Sequence, residues 1–180
     1  MPHIHTEPGQ HDITTSAFII RMIDDVPHML LHLHKKHGKL LQPGGHVELN
    51  ETPWQAIAHE LEEETGYLLD ELDILQPRGM LSNLPGIVMH PVPSTLNTHK
   101  IDNQQNVHYH TDMAFTFVAA NPPTRQPHEG ESQDLRWLTL NDIDALDASE
   151  IYPDTVELCR HALAVTLQDW SAISANSFAV

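Results

Sequence analysis

The sequence is poor in cysteine and in basic residues. Cys159 is the single cysteine among 180 residues, which excludes an intrachain disulfide and a metal site built from cysteine thiolates. We expect Cys159 to be a small apolar residue on a helix, with no nucleophilic role. Nine Lys and Arg face 25 Asp and Glu, a formal net charge of −16. Nucleic-acid interfaces need clustered Lys and Arg, so we expect no nucleic-acid partner.

Long apolar runs are also missing. No segment approaches the length of a membrane span, and no basic stretch followed by an apolar run opens the sequence. We therefore expect no membrane partner and a cytoplasmic location. With 180 residues and 40% hydrophobic content, the chain can form one domain with a substantial core.

The densest local pattern lies at residues 44–67, with the sequence GGHVELNETPWQAIAHELEEETGY. Its glycines predict a turn, and a helix should follow. Thr52 suits the N-cap of that helix and Pro53 suits its first turn. Gly66 suits a left-handed residue that ends it.

Three carboxylates lie on one flank of the predicted helix. Glu60, Glu63 and Glu64 stand at positions i, i+3 and i+4, and the helix has no Lys or Arg to neutralise them. Like charges at this spacing destabilise a helix, and a bound divalent cation would reverse that cost. Oxygen ligands suit hard ions, so the pattern predicts a site for Mg²⁺, with Mn²⁺ as the alternative.

The same segment resembles the signature box of the Nudix hydrolases. That box has a glycine, five residues, a glutamate, seven residues, and then Arg-Glu-aliphatic-any-Glu-Glu-any-Gly-aliphatic. Here Gly45 and Glu51 begin the match, and HELEEETGY at residues 59–67 completes it. All four box glutamates and both glycines are present. His59 replaces the arginine and Tyr67 the last aliphatic residue. Histidine is mostly neutral at pH 7, so the first exchange bears on efficiency and pH optimum rather than on the fold.

The resemblance implies an α/β fold, a Nudix-like α/β/α sandwich with a mixed sheet. The predicted element order agrees with it: two strands, the helix, several strands and then helices. We expect an N-terminal arm at residues 1–14, the hydrolase domain at 15–170 and a frayed polar C-terminal tail at 171–180. Within the domain we predict a polar loop at 93–106, helices at 143–148 and 153–168, and strands at 16–23, 28–34, 72–76, 87–92, 107–120 and 134–138.

The resemblance also implies an activity. Nudix-type hydrolases split a diphosphate linkage in a nucleoside diphosphate derivative, by attack of water on phosphorus with Mg²⁺ bound. The partner would then be a small-molecule nucleotide, whose identity the box leaves open. Dimers are frequent in the family, so a homodimer is an option for this chain.

Residue roles follow from the same resemblance. Glu63 and Glu64 would be metal ligands, and Gly45 would add its backbone carbonyl. Glu60 would be a third ligand or the group that orients or deprotonates the water. Glu131, in a later loop, is the candidate for the additional acidic ligand or base that some members use. The supporting residues would be Glu51, which holds the loop or a second metal ion, and His59.

Four further residues are candidates for substrate contacts. Arg21 and Lys39 lie close to the box in sequence and could contact phosphates, whereas His108 and His110 alternate along a strand that could face the box helix.

Two other functions remain open from the sequence. His108, His110 and Asp112 could form the two-histidine, one-carboxylate triad of an iron oxygenase. Because His59 replaces the box arginine, the chain could also be a non-catalytic, Nudix-like domain that binds or senses a nucleotide.

Overall fold

A single mixed β-sheet organises the chain in the computed structural model, which describes residues 7–81, 84–102 and 107–179. The strands in these ranges are β1 (His11–Ile23), β2 (Val26–His34), β3 (Lys39–Leu41), β4 (Gly44–His46), β5 (Leu72–Gln76), β6 (Thr95–Asp102), β7 (Val107–Ala119), β8 (Leu135–Leu138) and β9 (Ser171–Ser174). The helices are α1 (Pro53–Thr65), α2 (Leu140–Asp144), α3 (Pro153–His161) and α4 (Leu167–Asp169), with a π-helical turn (Ala162–Thr166) between the last two. Within the described ranges, none of the helices combines the length and apolarity that crossing a bilayer requires.

The sheet has the strand order β3-β2-β1-β7-β5-β9, and β4, β6 and β8 pair with β1, β7 and β2 respectively. β1 and β7 run parallel, whereas the other strand pairs are antiparallel. Helices cover both faces. The predicted α/β sandwich with a mixed sheet is therefore confirmed.

Side chains alternate along β1 and so divide the interior into two cores. Ala17 and Ile19 pack against α1, on what we call the α1 face. Phe18 and Ile20 pack with Cys159 of α3 on the opposite side, which we call the α3 face. Any residue on a strand of this sheet can be assigned to one face from its register with β1.

Helix α1 begins and ends as the sequence predicts. Thr52 and Gln55 form a reciprocal capping box, in which each side chain accepts a hydrogen bond from the backbone of the other residue. Gly66 ends the helix with φ of 79° and donates its N–H to the Glu62 carbonyl. Trp54 is fully buried and anchors the helix on the sheet.

Both predicted chain ends differ from the structure. Residues 11–14, expected in the arm, form the start of β1, and residues 171–174, expected to fray, form β9 against β5. The open edge of β5 offers backbone hydrogen bonds that a polar composition does not reveal. Residues 1–6 of the arm lie outside the described residues.

The predicted strand at residues 87–92 is wrong, because this segment is irregular and β6 forms instead. Pro91 and Pro93 lack N–H donors and interrupt a ladder here. β6 occupies most of the predicted loop at 93–106 and pairs along β7, with Asn97 opposite Asp112. Residues 103–106 of that loop lie outside the described residues.

Replacing Gly66 by alanine should destabilise the protein more than replacing Gly79. Both glycines have positive φ, 79° and 74°, so each alanine should cost about 1 kcal/mol of backbone strain. A Cβ at Gly66 would also lie 2.3 Å from the Arg125 carbonyl oxygen, whereas one at Gly79 would meet nothing within 4 Å. We expect urea unfolding to show an additional loss of about 2 kcal/mol for Gly66→Ala. Equal losses in the two variants would contradict the close contact.

Candidate active site

The box glycines and the box helix meet at the α1 face. Gly44 donates its N–H to Glu64 Oε2 at 2.9 Å. A Cβ at Gly45 would lie 1.9 Å from Glu60 Oε1, so a side chain there would displace the carboxylate. The two glycines thus allow two carboxylates of α1 to approach the backbone of β4 closely.

Burial and mutual repulsion perturb these two carboxylates strongly. Desolvation by burial, followed by the charges of Glu63 and Glu131, raises the pKa of Glu60 to about 7. Burial, followed by the charge of Glu60, raises the pKa of Glu64 to about 8, although the Gly44 N–H opposes this shift. Strongly perturbed acids in a shared site are typical of functional centres.

Glu63 and Glu131 complete this group from two sides. The Glu63 carbonyl accepts the His128 N–H at 2.8 Å, so the loop that carries Glu131 is joined to the end of α1. Lys35 Nζ donates to the Gly130 carbonyl at 2.5 Å and holds the same loop from β2. Glu131 is near enough for its charge to raise the pKa of both Glu60 and Glu64. The structure therefore brings together the four acidic residues that the sequence selected for this centre.

His59 contacts the side chain of Glu51, another of the box glutamates. Its Nδ1 lies 3.0 Å from Glu51 Oε2, and the other oxygen of Glu51 accepts the Glu48 N–H at 2.9 Å. His59 is 67% exposed at its side chain, whereas Glu51 is 11% exposed. Glu51 thus connects the loop before α1 to the helix itself.

His32, a buried residue of β2, also lies at this site and was not among the residues predicted from the sequence. Its side chain is 2% exposed, and its Nε2 lies 3.8 Å from Glu64 Oε2. Burial lowers the pKa of His32 to about 4, so the ring is neutral at pH 7. Neither ring nitrogen has a hydrogen-bond partner among the described residues. The available signal was a histidine inside the apolar run MLLHL, at the same strand parity as the core residue Leu30.

Arg21 and Lys39 are directed elsewhere. The Arg21 guanidinium lies 5.0 Å from the Trp137 ring centroid, and Lys39 Nζ lies 4.9 Å from that of Tyr152. Lys39 Nζ also donates to the Ala148 carbonyl. On β1, Arg21 is five residues beyond Ser16, the partner of Gly44, which corresponds to about 17 Å along the strand. Proximity in sequence to the box does not bring these two cations to its carboxylates.

The expectation that His108 and His110 face the box helix is wrong. Phe115 and Phe117 of β7 pack on the α1 face, so the even-numbered residues of this strand lie on the α3 face. Asp112 Oδ1 accepts hydrogen bonds there from the hydroxyls of Thr14 and Ser16, at 2.9 and 3.0 Å. The ligand atoms of the proposed oxygenase triad do not converge in the structure. That triad was His108, His110 and Asp112, and of these only His110 belongs to a converging group of potential ligands among the described residues.

The donor set at the α1 face fits a hard divalent cation. Glu60 and Glu64 are crowded against β4, at pKa values that show how unfavourable their charges are without a counter-ion. Within residues 7–81, 84–102 and 107–179, no Lys or Arg forms an ion pair with Glu60, Glu63 or Glu64. Carboxylate and carbonyl oxygens are the ligands that Mg²⁺ and Mn²⁺ prefer.

Comparison with known proteins agrees with this fold. The NUDIX domain family model matches residues 13–159. A NUDIX-family hydrolase from Clostridium perfringens superposes with a TM-score of 0.68 at 29% identity, covering 84% of this chain and 95% of that one. No curated protein is significantly similar in sequence.

Two more distant structures share the fold. Ap4A hydrolase from C. elegans has a TM-score of 0.58 at 19% identity, covering 83% of this chain and 93% of that one. The NUDIX domain of NrtR from Shewanella oneidensis, crystallised with ADP-ribose, has a TM-score of 0.59 at 15% identity and covers 88% of each chain.

The family match spans most of the chain and includes the complete box, so the resemblance noted in the sequence is confirmed. The chain belongs to the Nudix family and is a Nudix-type pyrophosphohydrolase.

Without metal, we expect the free energy of unfolding to fall as pH rises from 6.5 to 8.5. The pKa values of Glu60 and Glu64 are about 7 and about 8 in the folded chain, above the ordinary 4.5, so the folded state binds more protons in this window. Their deprotonation therefore disfavours folding, by a total on the order of 2 kcal/mol. His32 acts in the opposite direction only below about pH 6.5, because its pKa is lowered.

Urea unfolding in chelator at the two pH values measures this effect. The decrease should disappear in the Glu60→Gln, Glu64→Gln double variant and in wild type with saturating Mg²⁺. An equal decrease in the free energy of unfolding of the double variant would show that other titrating groups cause the effect.

Proposed function

We propose that this Nudix hydrolase uses Mg²⁺, or Mn²⁺ as the alternative, to split the diphosphate linkage of a nucleoside diphosphate derivative by attack of water on phosphorus. The observation that carries the proposal is the pair of buried carboxylates, Glu60 and Glu64, held against the backbone of Gly44 and Gly45. A small-molecule nucleotide as substrate is supported by two proteins of the same fold, one named an Ap4A hydrolase and one crystallised with ADP-ribose.

The metal ion would be held by Glu60, Glu63 and Glu64 together with the carbonyl of Gly45. When bound, the ion neutralises diphosphate charge and acidifies a coordinated water. The Gly44 N–H fixes Oε2 of Glu64, and the neutral ring of His32 has its Nε2 3.8 Å from the same oxygen. These contacts hold Glu64 in place without placing a competing cation beside it.

Two residues are candidates for the general base. A carboxylate whose pKa is about 7, as in Glu60, can take a proton from water near neutral pH. Glu131 is the second candidate, because its loop is fixed to the end of α1 and its charge reaches both buried glutamates. Loss of activity with Glu131→Gln at unchanged metal affinity would favour Glu131 as the base.

The remaining functional predictions come from composition and, for the homodimer, from the family resemblance. A net charge of −16 supports a substrate bound through metal ions rather than through a basic surface, and no nucleic-acid partner. We keep the cytoplasmic location and the homodimer as predictions. No described contact favours the non-catalytic nucleotide-binding alternative, because every box glutamate is present and clustered.

Glu64→Gln should lower turnover by about 10²-fold or more, because it removes a charged group from the metal site while keeping the shape of the side chain. Glu62→Gln is the matched control: it makes the same exchange on the same helix, at a residue that pairs with Arg125 on the surface. We expect its turnover to stay within about twofold of wild type.

The assay measures phosphate and nucleoside monophosphate release from ADP-ribose, Ap4A and nucleoside diphosphate sugars, with Mg²⁺, with Mn²⁺ and with chelator. Comparable turnover in Glu64→Gln and Glu62→Gln would contradict the proposed metal site. Nucleotide binding without turnover of any substrate, in wild type with either metal, would support the binding-domain alternative.

His59→Arg should preserve activity and extend it to alkaline pH, because arginine remains charged where histidine is neutral and can still reach Glu51. His59→Ala should reduce activity across the whole pH range, since it leaves Glu51 without this partner. Both pH profiles are measured on the best substrate of the panel. Complete loss of activity in His59→Arg would show that the imidazole has a role that a cation cannot fill.

A further inference from the structure

A second group of potential metal ligands lies on the α3 face, behind the strand that carries the box glycines. It consists of Asp12, His46 and His110, one residue from each of the neighbouring strands β1, β4 and β7. Asp12 is the register partner of His110, and His46 is the partner of Thr14, two residues from Asp12 on the same face. The sheet register therefore brings the three side chains together.

The spacing of their ligand atoms matches a small coordination sphere. His46 Nε2 lies 3.3 Å from His110 Nε2 and 3.6 Å from Asp12 Oδ2, and one ligand atom from each residue lies within 4.8 Å of the others. Two ligands of a tetrahedral ion with bonds of about 2.05 Å are separated by about 3.3 Å. We propose that Asp12, His46 and His110 bind one divalent transition-metal ion, of the Zn²⁺ or Co²⁺ class, at a site separate from the glutamate box.

The ligand chemistry distinguishes this site from the box. Two imidazole nitrogens and one carboxylate suit Zn²⁺ and related ions, whereas Mg²⁺ prefers an all-oxygen set. The side chains of Asp12 and His46 are 7% and 14% exposed, so the ligands are partly desolvated and a fourth position can still be reached by water or by a ligand group. Strands fix all three backbones, which reduces the entropy lost when an ion binds.

The two sites use adjacent residues of strand β4, Gly45 and His46. Gly45 is directed to the α1 face and Glu60, whereas His46 is directed to the α3 face and His110. An ion bound to His46 would therefore fix the position of β4 from the α3 face, opposite the glutamates. Both Nε2 atoms can bind one ion only when each ring carries its proton on Nδ1, so metal binding would fix the tautomer of both histidines.

Titration of the chelator-treated full chain with Co²⁺ tests the proposal. We expect wild type to show the visible absorption of four-coordinate Co²⁺, and the absorption should saturate at one ion per chain. Glu63→Gln and Glu64→Gln should keep this absorption, because they alter only the box. His46→Ala and His110→Ala should each weaken the affinity by about tenfold to a hundredfold. His28→Ala is the matched control: it removes a partly buried histidine of β2, whose Nδ1 contacts the Val26 carbonyl, and should bind as wild type does.

Two further measurements keep the test independent of variant stability. Asp12→Asn preserves side-chain shape and should change the Co²⁺ spectrum or weaken binding. In wild type, Zn²⁺ at a hundred times its Kd should raise Tm by about 5 °C or more, and the rise should be smaller in His110→Ala. A Co²⁺ spectrum that persists in both His46→Ala and His110→Ala, or no such spectrum in wild type at excess Co²⁺, would overturn the site. Neither result would affect the proposed hydrolase, which Glu64→Gln tests separately.

Discussion

The burial of two like charges is the constraint on which the candidate active site depends. Glu60 and Glu64 lie one helical turn apart, lose most of their hydration and repel each other, which raises their pKa values to about 7 and about 8. In an isolated helix, two like charges at positions i and i+4 would be destabilising. It persists because Trp54 and the apolar side of α1 anchor the helix on the sheet, and because Gly44 and Gly45 leave room for the carboxylates. A bound cation would replace the repulsion between the two carboxylates with attraction of each to the ion.

Around this pair, the neighbouring residues provide support rather than opposite charge. His32 is neutral, and Glu51 is held by His59 and by the loop backbone. Lys35 of β2 donates to the Gly130 carbonyl, in the loop that carries Glu131. A lysine or arginine paired directly with Glu60 or Glu64 would compete with a metal ion, and the fold avoids that pairing by directing its few basic residues elsewhere.

Strand alternation explains both the correct and the incorrect expectations. The box specifies helix α1, its caps and the carboxylate flank, because these depend on spacings of three and four within one segment. The face of β7 depends on its pairing with β1, which is distant in sequence, so His108 and His110 were assigned to the wrong side. The same pairing assembles Asp12, His46 and His110, whose separations in sequence give no indication that they meet. β9 likewise forms because β5 leaves an edge open to it.

The sequence by itself determined the family, the helix that carries the glutamates, the glycines that precede it and the spacing of the carboxylates along that helix. Each of these is local, since caps, turns and charge spacing act within a few residues. Only the tertiary structure decided which residues meet across the sheet: His32 beneath Glu64, Arg21 on Trp137, and the histidines of β4 and β7 behind the box. These contacts follow from strand register, which is set by packing of the whole sheet rather than by any single segment.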